Sequence, residues 1–299
     1  MIPHIVIITA TYNHSRLLPK LYNSLKEQTL KKFRWIIVDD GSQDDTKQIV
    51  NKFLIEDVIN IVYINKPNGG KSSALNMAFD YINQDDMAII VDDDEKLDKN
   101  AIEKIERYYL KYFYTNVGAI HFNRRNQDNQ KIIANYYAET DLNMDYRKFK
   151  NQGYYADGYN AYFGYALSSI RFPIFKGEKY IGPSVLLMLC GEKYDTIWAK
   201  EVIGTTKYMD GGITKQGRKL RVKNPLGGIY YCILLQSKES GFKVRLKYSL
   251  LGYAYKYISG KSKKELNSIG IDIDKLQKVM KMPGFFLAQK WKFNYLRIG

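Results

Sequence analysis

The first half of the chain alternates short apolar runs with longer amphipathic segments. The apolar runs are rich in β-branched residues, which is typical of buried parallel strands, and they cover residues 5–11, 33–38, 59–64 and 87–91. Each run is followed by a polar loop and then by a segment whose apolar residues recur at helical spacing. This alternation predicts an α/β fold with a mostly parallel sheet and helices on both faces, the Rossmann-like arrangement.

After residue 115 the pattern of apolar positions is less regular. Residues 153–166 combine Tyr, Phe and Gly, a composition unusual for a plain core element. The elements expected around this segment are a helix over residues 100–113, a strand over 117–123, a polar turn over 124–129, a helix over 180–189 and extended chain over 196–209.

Polar loops follow all four predicted strands at their carboxyl ends. Because these ends lie at one edge of an open α/β sheet, where ligands bind, we expect the loops to converge on one crevice. The residues concerned are Tyr12-Asn13, Asp39-Asp40, residues 68–73 and Asp92-Asp93-Asp94.

The acidic triplet Asp92-Asp93-Asp94 directly follows the fourth predicted strand. Three adjacent carboxylates repel one another unless a cation neutralises them, and Mg²⁺ characteristically pairs one or two carboxylates with substrate phosphates. The triplet therefore predicts a metal–diphosphate site. The alternative is a solvated acidic turn that caps the following helix.

Two further loops carry groups suited to a nucleotide. Residues 68–72 offer backbone N–H groups, a helix N-terminus and the cation of Lys71, all of which suit phosphate. Asp40 could accept a hydrogen bond from a base, and the ring of Tyr12 could stack on that base. For both loops a plain helix start or N-cap turn is the alternative.

Several other chemistries lack their signatures. The sequence contains no Walker A loop, no Rossmann Gly-x-Gly-x-x-Gly fingerprint and no cluster of Cys and His. A sugar nucleotidyltransferase would need a Gly-rich loop with Arg near the N-terminus, which residues 5–13 do not provide. The three His residues are scattered, and we expect each of them to be structural: His4, His14 and His121.

Composition adds a marked asymmetry of charge. The 299 residues are 45% hydrophobic and carry a net charge of +15, and the stretch from Lys215 to the end holds 19 Lys and Arg against four acidic residues. We expect Cys190 and Cys232 to be reduced and buried, in a cytoplasmic protein without a signal peptide or a membrane-spanning helix.

The basic C-terminal stretch, residues 215–299, is also rich in aromatic residues. Lys and Arg alternate there with Tyr, Leu, Phe and Trp, which favours attachment to an anionic membrane surface. The alternative is a set of helices packed on the rest of the chain or on a partner subunit. Nucleic acid is not an expected partner, because no recognised binding module accompanies the charges.

Taken together, the loop motifs resemble the family 2 glycosyltransferases of the GT-A fold. The resemblance runs over residues 4–115 and continues more weakly through residues 172–180 and 208–214, where it is similar to bacterial enzymes of capsule, exopolysaccharide and teichoic-acid assembly. The motifs are Thr9-Ala10-Thr11-Tyr12-Asn13, Trp35 to Ser42 with Asp44, Asn68-Gly69-Gly70-Lys71-x-x-Ala74-x-Asn76 and Val91-Asp92-Asp93-Asp94.

The resemblance implies inverting transfer of a sugar from a nucleoside diphosphate donor, a UDP-sugar, with Mn²⁺ or Mg²⁺. Tyr12 and Asp40 match positions that contact uracil, and Asp92 and Asp94 form the DxD pair, with Asp94 on the metal and Asp92 towards the ribose or the metal. The nucleotide-sugar-binding residues that it implies are Ala10, Tyr12, Asn13, Asp39, Asp40, Asn68, Gly70, Lys71, Asp92 and Asp93.

Inversion also needs a general base, and here the chain departs from the family pattern. Family members place an acidic residue just before the helix that follows a Gly-Glu-Lys-Phe-like stretch, here residues 177–180, whereas this chain has Gly182-Pro183-Ser184 at that position. The candidates are Glu178, then Asp157, then Asp210. Glu178 could instead be a surface carboxylate paired with a neighbouring lysine.

The expected organisation is a catalytic domain over residues 1–214 followed by the basic region 215–299. Residues 1–115 would bind the nucleotide sugar, and residues 116–214 a lipid-linked or growing polysaccharide acceptor. We expect a bacterial protein on the inner face of the cell membrane, with homo-oligomerisation open. The alternative is a non-catalytic subunit that binds a sugar nucleotide within a glycan-assembly complex.

Overall fold

A computed structural model describes residues 4–136, 139–207 and 213–296. The chain divides into two compact units. The first comprises residues 1–144, 154–171 and 189–208, and the second comprises residues 145–153, 172–188 and 209–299. The predicted boundary at residue 214 stays a prediction. The second unit also includes two segments that precede this boundary, residues 145–153 and 172–188.

The first unit contains a mixed sheet in the strand order β3-β2-β1-β4-β8-β6-β9-β5, with β7 paired to β9. The strands β3, β2, β1 and β4 are parallel, β8 runs antiparallel to both β4 and β6, and β6 is parallel to β9. The strands within the described residues are β1 (His4–Thr11), β2 (Phe33–Asp39), β3 (Asn60–Asn65), β4 (Asp86–Ile90), β5 (Lys96–Leu97), β6 (Val117–Asn126), β7 (Leu142–Asn143), β8 (Gly158–Phe163) and β9 (Asp195–Thr206).

Helices account for most of the remaining regular structure. In chain order, the α-helices of the described residues are α1 (Leu18–Lys26), α2 (Thr46–Glu56), α3 (Lys71–Phe79), α4 (Ala101–Tyr112), α5 (Tyr146–Asn151), α6 (Gly164–Leu167), α7 (Ser184–Cys190), α8 (Ile213–Lys223), α9 (Pro225–Leu234), α10 (Phe242–Ser259), α11 (Lys263–Ser268) and α12 (Lys281–Tyr295).

The expected α/β class and the four parallel strands of the first half are confirmed. β1 lies between β2 and β4, and the side chains from Ile5 to Ile8 are at most 1% exposed. A central parallel strand is covered on both faces, which explains why its sequence is a continuous apolar run rather than an alternating one.

The Tyr- and Gly-rich segment forms β8, which lies between β4 and β6. Gly158 is needed there because a Cβ at this position would collide with the carbonyl oxygen of Phe122 on β6. The polar turn expected from residue 124 begins later, since β6 continues to Asn126. Arg124 can lie inside the strand because its charge is paired with two carboxylates, Glu95 and Asp157.

The second unit consists mainly of helices, with α8 kinked at Gly217. Cys190 and Cys232 are both buried free thiols, as expected. Among the helices of the described residues, none is both long enough and apolar enough to cross a bilayer.

Candidate active site

The four loops predicted to converge do meet at the carboxyl ends of β1 to β4. The register places Thr11 at the end of β1 beside Asp39 at the end of β2, and Asp39 beside Asn65 on β3. Ala10 lies one position earlier, beside Val38. The loop residues therefore occupy one edge of the first unit.

The first two loops are also bonded to each other. The backbone N–H of Asn13 donates to Ser42 Oγ at 2.8 Å, and the N–H of Gln43 donates to Asn13 Oδ1 at 2.7 Å. Asn13 has a positive φ of 56°. Next to it, the ring of Tyr12 is 44% exposed and is free to stack on a flat ligand.

Asp39 is buried, and internal donors occupy both of its carboxylate oxygens. The N–H of Ser42 donates to Oδ1 at 2.8 Å, and the hydroxyl of Tyr63 donates to Oδ2 at 2.7 Å. Burial, together with the Asp39 charge, raises the pKa of Tyr63, so this hydroxyl remains a donor. Asp39 thus shapes the turn that follows β2.

Asp40 is likewise buried and organises the third loop. Its carboxylate accepts hydrogen bonds from Lys66 Nζ at 2.6 Å and from the N–H groups of Gly69 and Gly70 at 2.9 and 2.7 Å. Its carbonyl oxygen accepts from Asn68 Nδ2 at 2.9 Å. Lys66, which no sequence motif singles out, is 8% exposed and neutralises the Asp40 charge inside the protein.

Lys71 opens α3 and extends to the acidic triplet. Its Nζ lies 2.5 Å from Asp92 Oδ1, and the two side chains are 35% and 41% exposed. Burial alone would lower the pKa of Lys71, but the adjacent Asp92 charge outweighs it and the pKa is raised. This pair brings a cation and a partly exposed carboxylate to the same edge of the sheet.

Asp93 points into the protein instead. It is 5% exposed and accepts hydrogen bonds from Thr11 Oγ1 at 2.6 Å and from His14, whose Nδ1 lies 2.8 Å from Oδ2. The hydrogen bond to Asp93 raises the pKa of His14. This contact is consistent with the structural role expected for His14, and it places the imidazole near the carboxyl ends of the parallel strands.

Asp94 differs from both neighbours, because its carboxylate accepts no hydrogen bond from any other residue that the structure describes. Only its carbonyl oxygen has a donor, Lys20 Nζ at 3.3 Å. Burial, and then the charges of Asp92 and Asp93, raise the pKa of Asp94. The carboxylate thus lies in a site where a cation would relieve the repulsion.

The donor set fits a hard divalent cation that is completed by a substrate. Within the described ranges, no group of three or more Asp, Glu, His or Cys is arranged to hold a metal ion by itself. Mg²⁺ typically takes one or two carboxylates and fills its other positions with water and substrate phosphates. Asp92 and Asp94 supply such a pair of carboxylates.

A buried arginine links the acidic stretch to Asp157. Glu95, which is 2% exposed, accepts the N–H of Asp92 at 3.1 Å and is paired with Arg124. Arg124 Nη2 also lies 2.6 Å from Asp157 Oδ2, and the Asp157 side chain is 24% exposed. The first unit therefore connects Asp157 to Asp92 through two side chains.

The other two candidate bases are in different positions. Glu178 belongs to the second unit, where its two carboxylate oxygens accept the N–H groups of Leu226 at 2.6 Å and Gly227 at 2.9 Å, at the start of α9. Burial raises the pKa of Glu178. Asp210 lies outside the described residues.

Comparison with known proteins gives a family match and a fold match. Residues 6–171, more than half of the chain, match Glycosyl transferase family 2. One curated relative is the GalNAc(5)-diNAcBac-PP-undecaprenol beta-1,3-glucosyltransferase of Campylobacter jejuni, 31% identical over 108 residues that cover 34% of this chain and 33% of that protein. Matches to three such relatives span 33% to 48% of their lengths.

Two solved structures resemble the chain over nearly its whole length. Staphylococcus aureus TarS 1–349 in complex with UDP-GlcNAc has a TM-score of 0.62 at 15% identity and covers 94% of this chain and 79% of its own. A mannosyltransferase of Pyrobaculum calidifontis, in complex with GDP-Man and Mn²⁺, has a TM-score of 0.60 at 15% identity. The match covers 99% of this chain and 88% of the mannosyltransferase. These likenesses show the expected GT-A fold.

Proposed function

The chain belongs to glycosyl transferase family 2, and from this premise we propose that it transfers a sugar, with inversion, from a nucleoside diphosphate to an acceptor hydroxyl. One observation carries the proposal: Lys71, Asp92 and Asp94 meet at the carboxyl edge of the parallel strands. This combination of a cation with two accessible carboxylates suits a diphosphate and its metal ion.

The donor in this proposal is a UDP-sugar, which the presence of UDP-GlcNAc in the TarS structure supports. The exposed ring of Tyr12 stacks on the base, and Lys71 with the N–H groups at the start of α3 binds the diphosphate. Asp40 acts through the loop that it holds, because its own oxygens are occupied by Lys66, Gly69 and Gly70.

Asp92 and Asp94 are the proposed ligands of Mn²⁺ or Mg²⁺. The unpartnered carboxylate of Asp94 favours this assignment, and the Mn²⁺ in the Pyrobaculum mannosyltransferase structure is compatible with it. When bound, the ion stabilises the negative charge that develops on the departing diphosphate. Lys71 contributes a fixed positive charge on the same side.

Asp157 is the proposed general base. The acceptor oxygen attacks the anomeric carbon, the bond to the diphosphate breaks, and the hydroxyl proton passes to the Asp157 carboxylate. The link through Arg124 and Glu95 favours Asp157 over Glu178, whose oxygens hold the start of α9. Glu178 is therefore assigned a positioning role in the second unit.

The proposed acceptor is a lipid-linked or growing surface glycan. The undecaprenol-linked acceptor named for the Campylobacter relative supports this choice. Location at the inner face of the membrane, through residues 215–299, belongs to the same proposal.

Donor hydrolysis tests the proposal most directly. Purified protein is incubated with UDP- and GDP-sugars in the presence of Mn²⁺, and we expect UDP release from one UDP-sugar. Asp94→Ala should lower the rate at least about a hundredfold, because the leaving group loses its charge stabilisation. Asp128→Ala is the matched control, since Asp128 is an exposed carboxylate in the turn after β6.

Each outcome decides between the alternatives. Donor binding without turnover at any metal concentration would favour the non-catalytic, sugar-nucleotide-binding subunit. Equal rates in wild type and Asp94→Ala would exclude the metal assignment. Failure to bind any sugar nucleotide, judged by thermal shift, would remove the donor site itself.

A further inference from the structure

Helix α12 exposes an unusual number of large apolar side chains. Met282, Phe286 and Phe293 are 60%, 65% and 64% exposed, and Phe285 is 36% exposed. Leu296, directly after the helix, is 43% exposed, and Val279, just before it, is 70% exposed. Clusters of this kind on a soluble protein mark an interaction surface.

These side chains lie on one face of the helix. At about 100° per residue, Met282, Phe285, Phe286 and Phe293 fall within an arc of about 100°. We call this set the outer stripe of α12. Gln289 lies on the same face between Phe286 and Phe293, so the stripe is apolar on either side of one polar residue.

The opposite face of α12 is already packed inside the second unit. Gly284, Ala288 and Trp291 are buried. The Trp291 ring lies 5.1 Å from the ring of Tyr255 on α10 and 4.5 Å from the guanidinium carbon of Arg218 on α8. The helix is thus held in place mainly by this inner face. Within the outer stripe, the ring of Phe285 also lies 5.3 Å from the ring of Tyr257 on α10, whereas Met282 and Phe286 are mostly exposed.

Lysines flank the stripe on both sides. Relative to Met282, Lys290 is turned by about 80° in one direction and Lys292 by about 80° in the other, with Lys281 next to Lys292. From Lys275 to Leu296 the sequence contains no Asp or Glu. An apolar stripe bordered by cations matches the interface of an anionic bilayer, where acyl chains lie beneath negative headgroups.

We propose that the outer stripe of α12 inserts into an anionic membrane surface, with Lys281, Lys290 and Lys292 against the lipid headgroups. The phenylalanines enter the boundary between headgroups and acyl chains, and the lysines bind phosphate. The membrane attachment of residues 215–299 is thereby confined to one helix face, an assignment that rests on the membrane location in the proposed function and not on sugar transfer.

The test is sedimentation of the full chain with vesicles, without any sugar nucleotide. We expect binding to phosphatidylcholine vesicles that contain phosphatidylglycerol, and little binding to pure phosphatidylcholine. Met282→Ser with Phe286→Ser should weaken binding at least tenfold. Lys281→Gln, Lys290→Gln and Lys292→Gln together should weaken it about a hundredfold, at about fivefold for each lysine.

Matched controls distinguish vesicle binding by this helix face from non-specific hydrophobic binding and from the effect of net charge. Ile55→Ser removes an apolar side chain that is 83% exposed on α2, and Lys32→Gln, Lys47→Gln and Lys52→Gln remove the same charge from the first unit. Both controls should bind vesicles as wild type does. All variants should keep the wild-type melting temperature, which excludes unfolding as the cause.

Three results would overturn the inference: no binding of wild type to anionic vesicles, equal binding to neutral vesicles, or stripe variants that bind normally. A dimer that dissociates in the Met282 and Phe286 variant would assign the stripe to a second copy of the chain instead. Donor hydrolysis measured on the same preparations reports separately on the proposed function.

Discussion

The four consecutive acidic residues from Asp92 to Glu95 have similar side chains but different roles, because their positions in the loop differ. Asp93 and Glu95 are buried and satisfied by His14 and Arg124, whereas Asp92 shares Lys71 and Asp94 has no side-chain partner in the described ranges. The buried pair fixes the loop, and the repulsion that remains is concentrated on Asp94. That residue is therefore the one most in need of a cation.

At the same scale, we expect Asp157→Asn to lower sugar transfer by about two to four orders of magnitude, because an amide cannot accept the acceptor proton. Nucleotide binding, measured by titration with UDP, should change little. Glu178→Gln should keep transfer within about threefold per folded molecule. It should instead lower the free energy of unfolding by about 1 kcal/mol, because the start of α9 loses part of its cap. The reverse pattern would make Glu178 the base.

Asp44 offers a test in the pH dependence of stability. Burial would raise the pKa of Asp44, but hydrogen bonds from Thr46 and Ser15 outweigh it and lower the pKa to about 2. A folded-state pKa below the unfolded value stabilises the fold above the unfolded pKa, and this contribution is lost as the pH falls through about 2.

The measurement is the difference in free energy of unfolding between wild type and Asp44→Asn. We expect wild type to be more stable at pH 5, with the difference shrinking below about pH 4, small near pH 2 and absent below it. His14, which lies close to Asp44, stays protonated throughout this range, because its pKa is raised above 6.5. A difference independent of pH would contradict the assignment.

At the scale of elements, the site depends on how closely the turn after β2 approaches the loop before α3. Gly41 has a φ of +80°, and a Cβ there would lie 2.9 Å from the backbone nitrogen of Asn68. This contact keeps the turn of Asp39 and Asp40 against the loop that leads to Lys71. The two loops therefore behave as one element.

Gly41→Ala should accordingly destabilise the protein by about 1–2 kcal/mol from the left-handed backbone and by a further 1–3 kcal/mol from crowding. Weaker UDP binding should accompany the loss, because the loop before α3 must move. Gly177→Ala is the matched control, since its φ is +86° and no atom lies within 4 Å of the added Cβ. Chemical denaturation of both variants separates strain from crowding; equal losses would refute the crowding argument.

For the whole molecule, the distribution of charge predicts that vesicle binding and donor hydrolysis respond differently to salt. The stretch from Lys215 to the end contains 19 Lys and Arg and four acidic residues, while the rest of the chain is neutral in sum. Pairs such as Lys66 with Asp40 are buried and poorly screened, whereas the lysines around α12 are exposed to solvent.

Raising the salt concentration about tenfold from 0.05 M should therefore weaken vesicle binding by an order of magnitude or more. Donor hydrolysis in solution should change by less than about threefold, since buried ion pairs hold the loops. The two assays use the same preparation, with potassium chloride as the salt. Parallel losses in both would contradict the expectation that buried ion pairs keep donor hydrolysis insensitive to salt.

A structural feature can be predicted from the sequence when the residues that determine it lie close together along the chain. The parallel strands β1 to β4 and their loops follow from local patterns, because apolar runs and helical spacing are read within about ten residues. Most of the loop residues that the sequence predicts to bind a ligand therefore lie together at one edge of the sheet. The family signature, spread over residues 6–171, is likewise a property of the sequence alone.

Only the tertiary structure decided which partner each charged side chain takes. Asp93 meets Thr11 across 82 positions, and Asp40 meets Lys66 across 26, pairings that no local pattern encodes. The antiparallel insertion of β8, and with it the position of Asp157, arises because Gly158 lets two backbones approach. Partner choice follows from which side chains the sheet brings together and excludes from water, and that is a property of the whole packed unit.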